Sequence, residues 1–274
     1  MQQIRSRKIE TGESFPFEFT ICTLVTNSAE YQEMLQSFVN MGFDEETCEF
    51  IYIDNSTANT FEAYAGLNRF LREAKGKYII LCHQDILLNQ HGRTHLLGKI
   101  QDIEKADPEW AVLGNAGGLN VKHRGLHLTN QSGKEWHEPN LPLRAQTLDE
   151  NFIVARKSAN LSLSADLQGF HFYGADICLV ADVLGYTCYV IDFKLIHKSD
   201  GNDDERFYQL KKQFIKKYRR SFRSRFISTT ITRFYISGNK LLNIIGNTGL
   251  ILFFARQYYK IFKPKEKYHS KSKL

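Results

Sequence analysis

Three apolar runs, each closed by a short polar cluster and the first two followed by a helical repeat, dominate the first 85 residues. Phe17 to Val25 (FEFTICTLV) reads as a buried strand ending in Thr26-Asn27-Ser28. Tyr31, Met34, Leu35, Phe38 and Val39 then recur on one helical face, which Gly42 closes. Asn27 suits an N-cap, and with Glu30 three residues on it resembles a capping box. Glu49 to Asp54 (EFIYID) is a second strand, ending in Asn55-Ser56-Thr57. A second helix follows, marked by Phe61, Tyr64, Ala65, Asn68 and Leu71 and stopped near Gly76. Lys77 to Cys82 is a third strand, ending in His83-Gln84-Asp85. Strand, helix, strand, helix, strand with short connections demands a parallel sheet with right-handed crossovers. Ligands of such sheets gather at the carboxyl ends of the strands, where this chain places all three polar clusters.

The middle of the chain is less regular. Gly92 to Lys105 reads as a helix and Trp110 to Gly114 as a strand. Gly117 to Leu143, rich in Gly, His, Asn and Pro, reads as a long loop or hairpin. Phe152 to Ala155 and Thr187 to Phe193 are further strands, and Tyr173 to Leu184 is a helix closed by Gly185. A polar turn, Ser199 to Asp204, leads into the tail.

Charge divides the 274 residues in two. Residues 211–274 hold 17 Lys/Arg against one acid, Glu266, a net of +16; the first 210 hold 19 basic and 29 acidic residues, a net of −10. The tail interleaves its cations with aromatics such as Phe214, Phe226, Phe253 and Tyr258. That mixture suits an anionic membrane surface. Nucleic acid is the competing partner, but Leu250 to Phe254 are apolar side chains with no use against phosphates. The uncharged stretch Leu241 to Ala255 is shorter than the roughly 20 residues a span needs, and Asn243, Gly246, Asn247, Thr248 and Gly249 interrupt it. It is expected to lie in the interface or to form a docking hairpin; packing on the body or on a second copy is the alternative. Five cysteines without a CxxC pair point to reduced thiols in a cytosol. Met1 to Glu10 lacks the apolar core of a signal peptide.

No GxGxxG, P-loop, HExxH or GxSxG motif occurs, which argues against dinucleotide enzymes, P-loop enzymes, zincins and α/β-hydrolases. A diphosphate could instead be neutralised by a metal on carboxylates, with His acceptable to Mn²⁺. His83 and Asp85 can present side chains to one side of their turn, and His197, just past a strand end, can close the site.

The segment Gly76 to Asp85 (GKYIILCHQD) resembles the third strand and metal motif of GT-A nucleotide-sugar glycosyltransferases, HQD standing where that fold carries DxD. Thr26-Asn27 and Ile53-Asp54-Asn55-Ser56 look like the nucleotide-contacting strand ends of family-2 glycosyltransferases. GFHFYGADICL and VIDFKLIHKS resemble the acceptor-side helix and closing strand of a bacterial HQD-containing branch. The resemblance covers roughly residues 17 to 200 and leaves the tail out. It implies a mixed GT-A sheet flanked by helices, with a GT-A domain over 1–210 and a basic helical tail over 211–274.

The resemblance further implies that Thr26, Asn27, Asp54, Asn55, Ser56, His83 and Gln84 hold the nucleotide-sugar, and that Asp85, His197 and His83 ligate Mn²⁺ or Mg²⁺. The catalytic base is expected at Asp176, the one acid left of the family's run in Tyr173-Gly174-Ala175-Asp176, with His171 and Asp149 behind it. The residues also admit plainer roles. Asp54 and Asp85 suit caps, His171 suits a core histidine, His197 a bond to a carbonyl, and Asp176 a first-turn acid favoured by the helix dipole. His91, His95, His123, His127, His137 and His269 read as surface or loop residues, of which His123 and His127, with Trp136, could contact sugar. The expected activity is metal-dependent, inverting transfer of a hexosyl or N-acetylhexosaminyl group from a UDP-sugar. The acceptor is expected to be a surface glycan or lipid-linked saccharide at the inner face of the cell membrane. A homodimer is allowed and nucleic acid is not expected. A nucleotidyltransferase and a catalytically degenerate partner of an active glycosyltransferase are the alternatives.

Overall fold

The computed structural model describes residues 6–9, 11–199 and 204–262. Most of the polar start, the turn residues Asp200 to Asp203, Glu266 and His269 therefore lie outside the described residues. In chain order the elements are β1 (Phe17–Val25), α1 (Ser28–Asn40), β2 (Cys48–Asp54), α2 (Ala63–Glu73), β3 (Gly76–Cys82), β4 (Ile86–Leu87) and α3 (Arg93–Ala106). There follow β5 (Trp110–Gly114), β6 (Ala116–Gly118), β7 (Arg124–Leu126), β8 (Leu128–Asn130), β9 (Glu135–Trp136), β10 (Leu143–Arg144), β11 (Thr147–Leu148) and β12 (Phe152–Arg156). Next come α4 (Tyr173–Val183), β13 (Thr187–Val190), β14 (Ile196–His197) and α5 (Glu205–Ser221). The last described elements are β15 (Arg225–Ser228), β16 (Arg233–Ile236), α6 (Lys240–Gly246) and α7 (Gly249–Phe262). It divides into two compact units, Met1–Lys211 and Lys212–Leu274.

The first unit is a mixed α/β structure, as its alternating elements require. Its seven-stranded sheet runs β10-β13-β5-β12-β3-β1-β2. β1 lies parallel to both β2 and β3, and β12 enters antiparallel between β3 and β5. The apolar run of β1 is flanked by β3 and β2, and its Phe19, Ile21 and Cys22 are almost wholly buried. Phe19, Phe38, Phe43, Trp110, Phe152 and Phe193 fill one core, each contributing about 1.5–3 kcal/mol by leaving water. Phe152 stacks on Phe193 with centroids 4.9 Å apart, joining the antiparallel strand to the segment after β13. Gly76 opens β3 where the chain runs against β1; a Cβ there would meet the Phe19–Thr20 backbone.

Several expectations need correction. Asn27 caps α1 by accepting from the Ala29 and Glu30 amides, but Glu30 does not return to Asn27: its carboxylate accepts from Gln84 Nε2 at 3.1 Å. Residues 117–143 are not one loop. They contain most of β6 and all of β7, β8 and β9, and reach β10; β6 joins the sheet β11-β6-β7, and β8 and β9 join β4-β14-β8-β9. Such two- and three-residue strands are too short to show periodicity. The strand expected to reach Phe193 ends at Val190, and β14 resumes at Ile196.

The second unit holds the β15–β16 hairpin, whose short strands the sequence pattern missed, and two helices broken at Asn247-Thr248. Asn247 makes the break. Its side chain accepts from the Tyr235 amide at 2.9 Å and donates to the Tyr235 carbonyl at 2.8 Å and the Asn243 carbonyl at 2.7 Å. Among the described residues no helix is long and apolar enough to cross a membrane. No residue of α7 is buried, and Leu250, Phe254, Ile261 and Phe262 are each more than half exposed.

Candidate active site

A cavity of about 260 Å³ opens at the carboxyl end of β3, lined among others by Thr26, His83, Gln84, Asp85, Glu150 and Tyr173. Backbone pairing builds it. The His83 amide donates to the Asn151 carbonyl at 3.0 Å, bringing the start of β12 beside the end of β3. β14 pairs antiparallel with β4, setting His197 opposite Ile86 and so beside Asp85. Residues far apart in sequence thus converge. His83 Nδ1 lies 3.3 Å from His197 Nε2, and Asp85 Oδ1 lies 3.9 Å from the first and 3.5 Å from the second.

This donor set fits a divalent cation. Ligand atoms bound at about 2.1 Å to one octahedral ion sit near 3 Å apart, so a small inward movement closes the triad. Two imidazoles and one carboxylate favour Mn²⁺ over the oxygen-seeking Mg²⁺. Outer partners orient the ligands: His83 Nε2 is 2.7 Å from Tyr173 Oη, and that hydroxyl donates to the Glu150 carbonyl at 3.2 Å. With Nε2 so engaged, Nδ1 can offer its lone pair. Burial and the neighbouring His197 push the His83 pKa down, so the ring is neutral near pH 7. Burial alone would raise the Asp85 carboxyl. Hydrogen bonds from His197 and Ser199, with the attraction of the neighbouring imidazoles, outweigh it and hold the Asp85 carboxyl well below the usual carboxylate range.

Gln84 serves differently. Its Oε1 accepts from the Thr26 and Asn27 amides at 2.8 and 2.9 Å and its Nε2 donates to Thr26 Oγ1 at 2.9 Å, bracketing the ends of β1 and β3 together. At the end of β2 the polar side chains serve their own turn. Asp54 Oδ1 accepts from the Ser56 amide and hydroxyl, and Asn55 Oδ1 accepts from the Thr60 and Phe61 amides. Those bonds push the Asp54 pKa down.

Of the three acids and bases expected from sequence, none lines the cavity. Asp176 is fully buried, and its two oxygens accept from the Ser164 amide and hydroxyl, both at 2.7 Å. Asp149 is exposed and accepts from the Asn151 amide and side chain. The His171 ring packs edge-on against Phe207. His123 is exposed, Trp136 pairs with Lys134, and neither reaches the cavity.

Besides Asp85, the acid that lines it is Glu150. Burial, and then the charge of Asp149, raise its carboxyl to about 8, against hydrogen bonds from the Gly174, Tyr173 and Phe172 amides at the start of α4. Gly174 also explains the acid missing from the helix start: a Cβ there would overlap the Leu148 carbonyl oxygen. The sequence signal was the adjacent pair Asp149-Glu150 ahead of β12; only burial tells the two apart.

No protein-family model matches the chain. Solved structures similar to it include Staphylococcus aureus TarS residues 1–349, at a TM-score of 0.47 and 15% identity, covering 74% of this chain and 66% of that one. GalNAc-T7 with UDP, GalNAc and Mn²⁺ matches at a TM-score of 0.46 and 9% identity, over 69% of this chain and 45% of that one. A197 from STIV matches at 0.37 and 11%, over 69% and 97%. In sequence, a Fuscovulum blasticum protein named "ATP synthase subunits region ORF 6" is 38% identical over 226 residues, 80% of this chain and 91% of its own length, and the chain belongs to that protein's family.

Proposed function

We propose that this chain is an inverting, metal-dependent glycosyltransferase of GT-A type that takes a UDP-sugar as donor. The observation that carries the reading is the convergence of His83, Asp85 and His197 at the end of β3, with the raised carboxyl of Glu150 lining the same cavity. A bound Mn²⁺ would neutralise the donor diphosphate as it departs. Glu150 takes the role first expected of Asp176. It accepts the proton of an acceptor hydroxyl as that oxygen attacks the anomeric carbon from the side opposite the diphosphate, and the bond to the diphosphate breaks. A base with a pKa near the working pH combines availability with proton affinity. Thr26 and Asp54, at the ends of two adjacent parallel strands, hold the nucleoside.

A thermal-shift panel of nucleotide diphosphates with and without Mn²⁺ tests this, because only a specific binder raises the melting temperature. UDP is expected to stabilise the chain in the presence of Mn²⁺ and not without it; no stabilisation by any nucleotide would leave a degenerate partner protein as the better reading.

The second unit is proposed to hold the enzyme on an anionic membrane, at the inner face, where a lipid-linked acceptor lies. The net +16 of residues 211–274 and the exposed Leu250, Phe253 and Phe254 support this, each cation contributing about 1 kcal/mol near such a surface. Flotation with anionic liposomes is expected to carry the full chain upward, only partly reversed by salt. Sedimentation without the vesicles would favour a homodimer contact instead.

A further inference from the structure

Histidines placed on the surface by sequence gather instead at a second centre. His91 precedes α3, His127 joins β7 to β8, and Asp192 follows β13. One ring nitrogen of each histidine and a carboxylate oxygen of Asp192 all lie within 4.8 Å of one another. His127 is only 2% exposed. Its Nε2 lies 2.9 Å from Asp192 Oδ1, while its Nδ1 has no hydrogen-bond partner among the described residues. A buried ring nitrogen left unsatisfied is costly, which marks this ring as one held for more than packing.

We infer that His91, His127 and Asp192 form a second metal site, for a borderline divalent cation of the Zn²⁺ kind, that ties these three segments together.

The donor set selects the ion: two imidazole nitrogens and one carboxylate oxygen suit Zn²⁺ better than Mg²⁺ or Ca²⁺. Zinc bonds of about 2.1 Å place tetrahedral ligand atoms ~3.4 Å apart, so His127 and Asp192, now 2.9 Å apart, separate slightly to admit the ion. Lys99 Nζ lies 3.2 Å from Asp192 Oδ2, which leaves Oδ1 to face His127. His95 supports Asp192 from behind, with its Nε2 2.7 Å from the Asp192 carbonyl oxygen. His91 is the ligand that must adjust. Its Nδ1 accepts the Lys194 amide at 2.8 Å, a bond exchanged for the metal bond when the ring turns over.

The position gives the site its purpose. β8, which follows His127, pairs with β14, which carries His197. Clamping His127 to Asp192 and His91 therefore holds the strand that presents His197 to the first cavity. The site is a positioning device and takes no part in the transfer.

The test uses metal alone, so its outcome does not depend on the transferase reading. The full chain carrying Asp85→Ala and His197→Gln lacks the cavity cluster. After dialysis against Zn²⁺ it is expected to retain about one ion per chain, and Co²⁺ in its place should show the intense visible bands of a tetrahedral site. Adding His91→Gln and Asp192→Asn should weaken Zn²⁺ binding by about tenfold or more and abolish those bands. No retained Zn²⁺ in the first variant, or undiminished binding in the second, overturns the proposal. If circular dichroism shows either variant unfolded, the unaltered chain decides. Calorimetry should then resolve two classes of Zn²⁺ site, and one class in His91→Gln; a single class in both also overturns it.

Discussion

The ends of β2 and β3 look alike in sequence and differ in what their side chains do. Asp54-Asn55-Ser56 and His83-Gln84-Asp85 both close apolar strands with polar groups. At the first, Asp54 and Asn55 satisfy the amides of their own turn. At the second, His83 and Asp85 reach across to His197, a residue of a distant strand, while Gln84 binds the backbone at the end of β1. A polar cluster at a strand end thus offers a metal site only where several of its lone pairs are left over after the turn is made; at the end of β2 the turn bonds use Asp54 Oδ1 and not Oδ2. The same contrast separates two acids near α4. Asp176 has both oxygens committed to Ser164, whereas Glu150 faces the cavity with a carboxyl raised to about 8.

The sharpest way to break this comparison is Asp85→Ala. Removal of the carboxylate is expected to abolish Mn²⁺-dependent UDP binding in calorimetry and to take turnover below detection, with the circular dichroism spectrum unchanged. Undiminished UDP affinity in that variant would place the metal elsewhere.

Glu150→Gln comes next. Turnover should fall by about 10²–10⁴-fold, the usual weight of a general base, with UDP affinity preserved. In the unaltered chain kcat/KM should rise with pH through about 8, as Glu150 ionises. Stability carries the opposite sign. Between the ordinary glutamate value and about 8 the folded chain keeps a proton that the unfolded chain has released, so stability falls as pH rises across that window. Glu150→Gln should remove that slope from the pH dependence of Tm. A flat activity profile in the unaltered chain would return the role to another group.

Asp176→Asn is expected to act on the fold and hardly on the chemistry. Weakening the paired bonds to Ser164 costs about 1–3 kcal/mol, visible as a lowered Tm, while kcat at a permissive temperature stays near normal. A collapse of kcat with an unchanged Tm would restore Asp176 as the base. Asp54→Asn should have the smallest effect, weakening UDP a few-fold and free diphosphate not at all. Equal weakening of both would make Asp54 a turn residue only.

Much of this was legible in the residues. The three leading strands, the two intervening helices and the long helix before Asp107 follow from periodicity and caps, because those elements are long enough to repeat their pattern. The HQD cluster and His197 were legible as candidate ligands because strand ends are where a sheet of this kind exposes chemistry, and the structure brings His83, Asp85 and His197 together. The short strands between Ala116 and Arg144 were not, since pairings of two or three residues are set by partners far away in the chain.

What the sequence determined by itself was the alternating α/β order, the acidic body with its basic tail, and the residues that can bind a metal. Only the tertiary structure decided which of them come together. It set Glu150 apart from Asp149 and Asp176 by placing one carboxylate beside a cavity, exposing its neighbour and occupying the third with Ser164. It also turned His91 and His127 from loop residues into a centre with Asp192. Local pattern specifies which way a side chain leaves its own strand or helix. The groups it meets, and the water it loses, depend on contacts between segments a hundred residues apart.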